Sequence, residues 1–149
     1  MASTVTPGRI KITIQESITL GNDDFSNRTQ ISISNIAEVS KRVLTVPTHI
    51  VDVLNLSSSA RAGTYASGSL AYARIRNLDN QNFVRLKFSS GSENTCEFKL
   101  DPLKSFVFTN GSYSGSATGA AFDSYATFES LSAVADTDSC DLEIYVAST

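Results

Sequence analysis

Apolar residues recur at every second position along most of this chain, a period that builds strands and not helices. In residues 9–20 (RIKITIQESITL), Ile10, Ile12 and Ile14 share one face. Ile18 and Leu20 keep the same parity after a polar interruption at Glu16 and Ser17. Residues 21–27 (GNDDFSN) are turn chemistry, because Gly supplies positive φ and Asn and Asp bond to their own backbone. Ile31 and Ile33 then alternate with Ser32 and Ser34, and the final run CDLEIYVA puts Cys140, Leu142, Ile144 and Val146 on one face. Between these ends the pattern predicts strands at about 70–76, 83–88, 96–100 and 104–109. The one place where a helical turn is expected is 35–40. Residues 50–56 differ, with Ile50, Val51, Val53, Leu54 and Leu56 placing apolar groups on both faces. The expectation there is a strand covered on both sides, by a second sheet or a neighbouring subunit.

A chain of 149 residues suits one domain with a real core. Charged residues make up only 18%, while 23 Ser and 14 Thr carry much of the polar surface, a composition suited to strands and loops. Eight to ten short antiparallel strands with turn signals between them predict an all-β, single-domain β-sandwich, jelly-roll-like in strand number and length. The expected division is an extended arm over 1–8 and the sandwich over 9–149. The segments 57–69 and 110–120, rich in Ser, Gly and Ala, read as loops.

Function classes fall away in turn. A net charge of −3 argues against general attraction to nucleic acid. No apolar run can span a bilayer, and the first ten residues do not look like a secretory signal, so synthesis in a cytoplasm is expected. His49 is the only histidine, which removes His-rich metal sites and leaves one candidate for a Ser/His/Asp arrangement. In a β run beside Pro47 it reads as a half-buried strand residue. Where GxSxG would place a nucleophile, 111–115 has Tyr113, and 63–68 lacks the lysine of a phosphate loop. Asn22, Asp23 and Asp24 read as turn formers rather than a calcium site. No catalytic residue, cofactor or metal is expected. Cys96 and Cys140 have neither metal-knuckle spacing nor a disulfide framework around them and read as buried free thiols, with a bridge between them as the alternative.

The densest charge lies in 72–88, YARIRNLDNQNFVRLKF. Read as a hairpin about 77–82, Arg76 pairs with Phe83, Arg74 with Arg85 and Tyr72 with Lys87. Arg74, Arg76, Arg85 and Lys87 then share one face, and Ala73, Ile75, Val84, Leu86 and Phe88 share the other. Like charges opposite each other demand acids. Those acids belong to the same chain, with Glu97, Asp141 and Glu143 as candidates, or to a neighbouring chain, which makes the four cations an interface. A nucleic-acid surface is the weakest reading.

The series KITIQESITL, VLTVPTH, RIRNLDNQNFVRLKF, EFKLDPLKSFVF and CDLEIYVA, spanning 9–147, resembles small β-rich virion structural proteins of tailed bacteriophages, marine ones in particular. The resemblance implies a non-enzymatic protein present in many copies on the virion: a capsid decoration or cement protein that binds the major capsid protein or another structural component. It implies a homo-oligomer too, with a trimer expected by analogy. Two other roles stay open: a tail or fibre-adaptor protein, and a carbohydrate- or host-binding module using the 110–120 loop and Tyr113.

Overall fold

The computed structural model of the chain describes residues 6–57, 65–66, 69–90, 94–109, 112–113, 123–124 and 128–149, which contain no α-helix. Four strands come first: β1 (Gly8–Glu16), β2 (Thr19–Leu20), β3 (Asp23–Asp24) and β4 (Asn27–Ile36). They are followed by β5 (Glu38–Val46), β6 (Val51–Ser57), β7 (Tyr65–Ala66), β8 (Leu70–Asn77), β9 (Val84–Ser90), β10 (Asn94–Leu100) and β11 (Ser105–Thr109). The chain ends with β12 (Ser112–Tyr113), β13 (Asp123–Ser124), β14 (Ser130–Ala135) and β15 (Cys140–Ser148).

Eight of these strands build a sandwich. One sheet has the order β11-β8-β15-β5; the other runs β10-β9-β14-β6 and adds the two-residue β7, parallel to β6, at its edge. The pairs β5–β15, β6–β14, β8–β11 and β9–β10 are the rungs of one long antiparallel hairpin, and the pairs β15–β8 and β14–β9 arise when that hairpin rolls up. This is the jelly roll expected from strand number and length. The strands predicted at 70–76, 83–88, 96–100 and 104–109 match β8 to β11 within two residues at either end.

Alternation decides which side chains enter the core. Ile75, Leu86, Leu131, Leu142, Ile144 and Val146 are all sealed between the sheets. At one end, Phe88 lies within 5.0–5.9 Å of the rings of Phe98, Phe106, Phe108 and Phe128, joining both sheets. Truncating Phe88 to Ala would cost about 3–5 kcal/mol through the cavity it leaves.

Several expectations are corrected. The apolar residues of 50–56 do not call for cover on two sides. The β6–β14 ladder shifts between Leu131 and Ser132, which face Leu54 and Asp52, so Val53 stands without a cross-strand partner. This bulge turns both Val53 and Leu54 into the core, while Ile50 precedes β6 and is exposed. The helical turn expected at 35–40 is absent: β4 and β5 are parted only by Ala37. Asn35 has φ 61° and is the unpaired residue of a bulge where Gly8 meets Ile36 and Arg9 meets Ser34. Asn tolerates that left-handed backbone better than most residues. His49 is exposed in the β5–β6 connection, not half-buried in a strand.

The sandwich begins at Glu38, not at residue 9. Of the arm expected over 1–8, residues 1–5 lie outside the described residues and Gly8 already opens β1. Residues 8–36 form a two-stranded ribbon that joins neither sheet of the sandwich.

Candidate functional site

The four cations of the 72–88 stretch do not share a surface. Strand parity is as expected, with Ala73, Ile75, Val84, Leu86 and Phe88 in the core, but β8 and β9 never pair. The chain crosses from one sheet to the other between them. Arg74 and Arg76 therefore stand on the outside of one sheet, and Arg85 and Lys87 on the outside of the other.

The crossing is held by Asn77, which is fully buried. Its Nδ2 donates to the Asn82 carbonyl (2.9 Å) and the Leu100 carbonyl (3.3 Å), and its Oδ1 accepts from the Asp79 amide (3.0 Å). Asp79 Oδ1 in turn accepts from the amides of Gln81 (2.7 Å) and Asn82 (2.6 Å). Those two bonds, the Asn82 amide first, hold its carboxyl below the usual carboxylate range. NLDNQN is thus a sheet-to-sheet corner. Its signal in sequence is length, since a tight hairpin closes in two residues and this connection runs over six, 78–83.

Each pair of cations meets acids of its own chain. Arg74 Nη2 donates to Glu143 Oε1 (2.5 Å), and Lys41 Nζ lies 3.2 Å from Glu143 Oε2. The hydrogen bond from Lys41 and the charges of Arg74 and Lys41 hold the Glu143 carboxyl below its ordinary value, against a smaller push upward from burial. Arg76 is exposed, next to Glu143 in the ladder. On the other sheet Arg85 Nη1 lies 3.1 Å from Glu97 Oε2, and Lys87 is Glu97's cross-strand neighbour, as expected. Lys99 sits 2.9 Å from Asp101 Oδ1 and 4.6 Å above the Phe83 ring. Arg85, Lys87, Glu97, Phe83 and Ile50 border an open groove of about 400 Å³.

Among the described residues no three or more His, Cys, Asp or Glu side chains gather as a metal would require. Asp24 is engaged within the tip turn, where the hydroxyl and amide of Ser26 donate to it and lower its pKa. Cys96 and Cys140 are free rather than bridged; they lie on different sheets, and burial pushes both thiols up, Cys140 with help from nearby carboxylates led by Asp79. The side chain of Tyr113 and most of the 57–69 and 110–120 loops lie outside the described residues.

The most developed surface is one to which the cations of the 72–88 motif do not contribute. From Arg9–Ser34 to Glu16–Asn27 the β1–β4 ladder keeps one register. The Phe25 amide donates to the Ile18 carbonyl (2.9 Å), and Thr19–Asp24 and Leu20–Asp23 continue the same register to the tip. A two-residue turn, Gly21-Asn22, closes it; Gly21 has φ 65°, the positive first position of a type II′ turn. One hairpin therefore runs from 9 to 34.

Its two faces could hardly differ more. One carries Ile10, Ile12, Ile14, Ile18, Leu20, Phe25, Ile31 and Ile33, broken only by Glu16, Asp23, Asn27 and Thr29. The other carries Arg9, Lys11, Thr13, Gln15, Ser17, Thr19, Asp24, Ser26, Arg28, Gln30, Ser32 and Ser34. At the root, Ile10, Ile12 and Ile33, with the buried Ile36, pack on Ala71, Tyr72, Tyr145 and Ala147, which are the outer surface of the β8–β15 pair. The Asn35 bulge makes this possible, because the extra residue moves Ile36 onto the face of Ile33. Beyond the root the apolar face is open: exposure rises from 44% at Ile31 and 50% at Ile14 to 58% at Phe25, 61% at Ile18 and 73% at Leu20. The alternation of 10–20 was legible in sequence. What it did not show was that the opposite strand sets Phe25, Ile31 and Ile33 on the same face.

Comparison with protein-family models, curated proteins and solved structures finds no match to the chain.

Proposed function

We propose that the chain is a non-enzymatic virion structural protein, a capsid decoration or cement protein that stabilises an assembled bacteriophage shell by contacts made in many copies. The observation that carries this reading is the ribbon. A single two-stranded hairpin is marginal in water, so an amphipathic one that leaves most of its apolar face open is built to be covered by protein. The jelly-roll body supports it from the other side, as a hydrophobically filled platform on which Lys41, Arg74, Arg85 and Lys99 meet acids of their own chain. The order of sequence blocks across 9–147 points to the same class. The mechanism is mass action: a protein that binds only the assembled shell stabilises that state against heat and internal pressure.

The test is to compare phage particles with and without the protein. Loss of thermal and osmotic resistance is expected when it is missing, restored by adding purified protein. Unchanged resistance sinks the cement role, and a copy number of a few per particle would assign the chain to the tail or fibre adaptor instead.

A further inference from the structure

We propose that the open ribbon face seats in an apolar groove of another protein that carries basic side chains, and that Glu16 and Asp23 are the residues that select this partner. The inference deepens the structural reading above and rests on it for where the partner is found, whereas the chemistry of the face is tested on the purified chain.

Two carboxylates decide the occupant. From mid-length to tip, the rows of the apolar face are Ile14–Thr29, Glu16–Asn27, Ile18–Phe25 and Leu20–Asp23. Glu16 therefore sits between apolar rows, and Asp23 shares the last row with Leu20, which is 73% exposed. The three cations of the ribbon, Arg9, Lys11 and Arg28, all stand on the opposite face. Whatever covers Ile14, Ile18, Leu20 and Phe25 also takes these carboxylates out of water, and the ribbon's own apolar face has no cation to set against them.

That cost sorts the occupants. The hydrocarbon of a bilayer offers a carboxylate nothing, and an anionic headgroup or a nucleic-acid phosphate repels it. A second ribbon laid face to face brings two more acids and no cation, whatever its register. The body of a second copy is little better: Glu143 and Glu97 already hold Arg74 and Arg85, and Arg76 and Lys87 stand on opposite outer faces. A groove of another protein with Arg or Lys among its apolar residues meets both needs at once, burying the apolar rows and giving each acid a charge-assisted hydrogen bond.

The ribbon also specifies that groove in outline. Glu16 and Asp23 lie on different strands and four residues' rise apart, about 13 Å along the ribbon. The partner's basic groups are expected at that spacing, with the Ile18–Phe25 row seated between them. Glu16 accepts one bond from Asn27 Nδ2 (3.4 Å), which leaves lone pairs for an incoming guanidinium. On the order of 500 Å² of apolar surface lies open on the ribbon, so with the partner's share the contact totals roughly 1,000 Å², at the small end for a specific interface. A contact of that size is weak singly and effective in many copies.

The decisive experiment offers the purified full-length protein two soluble amphiphiles of equal length and opposite charge, octyltrimethylammonium and octyl sulfate, below their micelle concentrations, and follows backbone amide shifts by NMR. The cation should shift the amides of 14–20 at a concentration roughly 10-fold lower than the anion. Glu16→Gln with Asp23→Asn should remove that preference, whereas Asp136→Asn with Asp138→Asn, the same change in net charge placed on the body, should leave it. Ile18→Ser with Leu20→Ser should abolish the shifts from both probes. On particles stripped of the protein, Glu16→Lys with Asp23→Lys should weaken rebinding by about 100-fold, and Thr13→Ala with Ser32→Ala, on the polar face, should not change it. A wild-type chain that does not rebind particles would sink the virion reading, while the amphiphile preference would still uphold the chemistry of the face. Equal shifts from the two probes, a preference for the sulfate, or rebinding indifferent to charge reversal would each overturn the proposal. So would a dimer in light scattering that Ile18→Ser with Leu20→Ser disperses, or binding to phosphatidylcholine vesicles through the same two residues.

Discussion

Residues 9–34 and residues 72–90 each hold two alternating strands around a polar link, yet only the first pair closes into a hairpin. In the ribbon, Gly21-Asn22 turns the chain in two residues, and positive φ at Gly21 returns each strand onto its neighbour. In the body, six residues link β8 to β9, and the buried Asn77 pins that link to the far sheet through the Leu100 carbonyl. The first pair keeps a common apolar face and leaves much of it bare. The second splits, and its apolar faces meet across a core. A short link fixes neighbours in one sheet; a longer one with a satisfied buried polar residue lets the core decide.

Three substitutions break or sharpen this contrast. Asn77→Leu should have the largest effect, because it deletes three hydrogen bonds and takes the Asn77 partner from the Asn82 and Leu100 carbonyls and the Asp79 amide. A loss of about 3 kcal/mol is expected in urea unfolding. An unchanged midpoint would mean that the core alone holds the crossing.

Gly21→Val strikes the other link. A β-branched residue in the left-handed region costs about 1–2 kcal/mol, and the cost should stay local: ribbon amides exchange roughly 10-fold faster while the body's urea midpoint holds. A matching fall in the body would show that ribbon and sandwich unfold as one unit.

Glu143→Gln probes the acid that the β8 cation found once β8 had left β9. The folded carboxyl titrates below its ordinary value of 4.5, so its stabilisation is fully present above that pH and disappears as pH falls through the folded pKa. The partly exposed partners limit the effect to about 1 kcal/mol near neutral pH. Wild type and variant should converge in acid, and a difference that persists there would point to packing instead of charge.

Much of this fold could be read from the chain. Alternation in 70–76, 83–88 and 140–147 named the inward residues correctly, because a pleated strand leaves a side chain only two directions. Turn chemistry placed the reversal at Gly21 for the same local reason, but 23–27, read with it as turn, belongs to the returning side of the hairpin. The Val53 bulge escaped, since an extra residue in one strand is defined only by the ladder opposite. The candidate surface escaped in part: Ile10 to Leu20 were visible as one face, but Phe25, Ile31 and Ile33 join them only through the pairing.

The sequence by itself determined the period of the strands, the sidedness of each and the places where the chain turns, all of which are short-range consequences of backbone geometry. Only the tertiary structure decided which strand lies beside which. It sent Arg74 and Arg85 to opposite surfaces, brought Glu143 to Arg74 and Lys41, and left the distal ribbon uncovered. Pairing between distant segments is chosen by the core that all of them fill together, and no local pattern carries that choice.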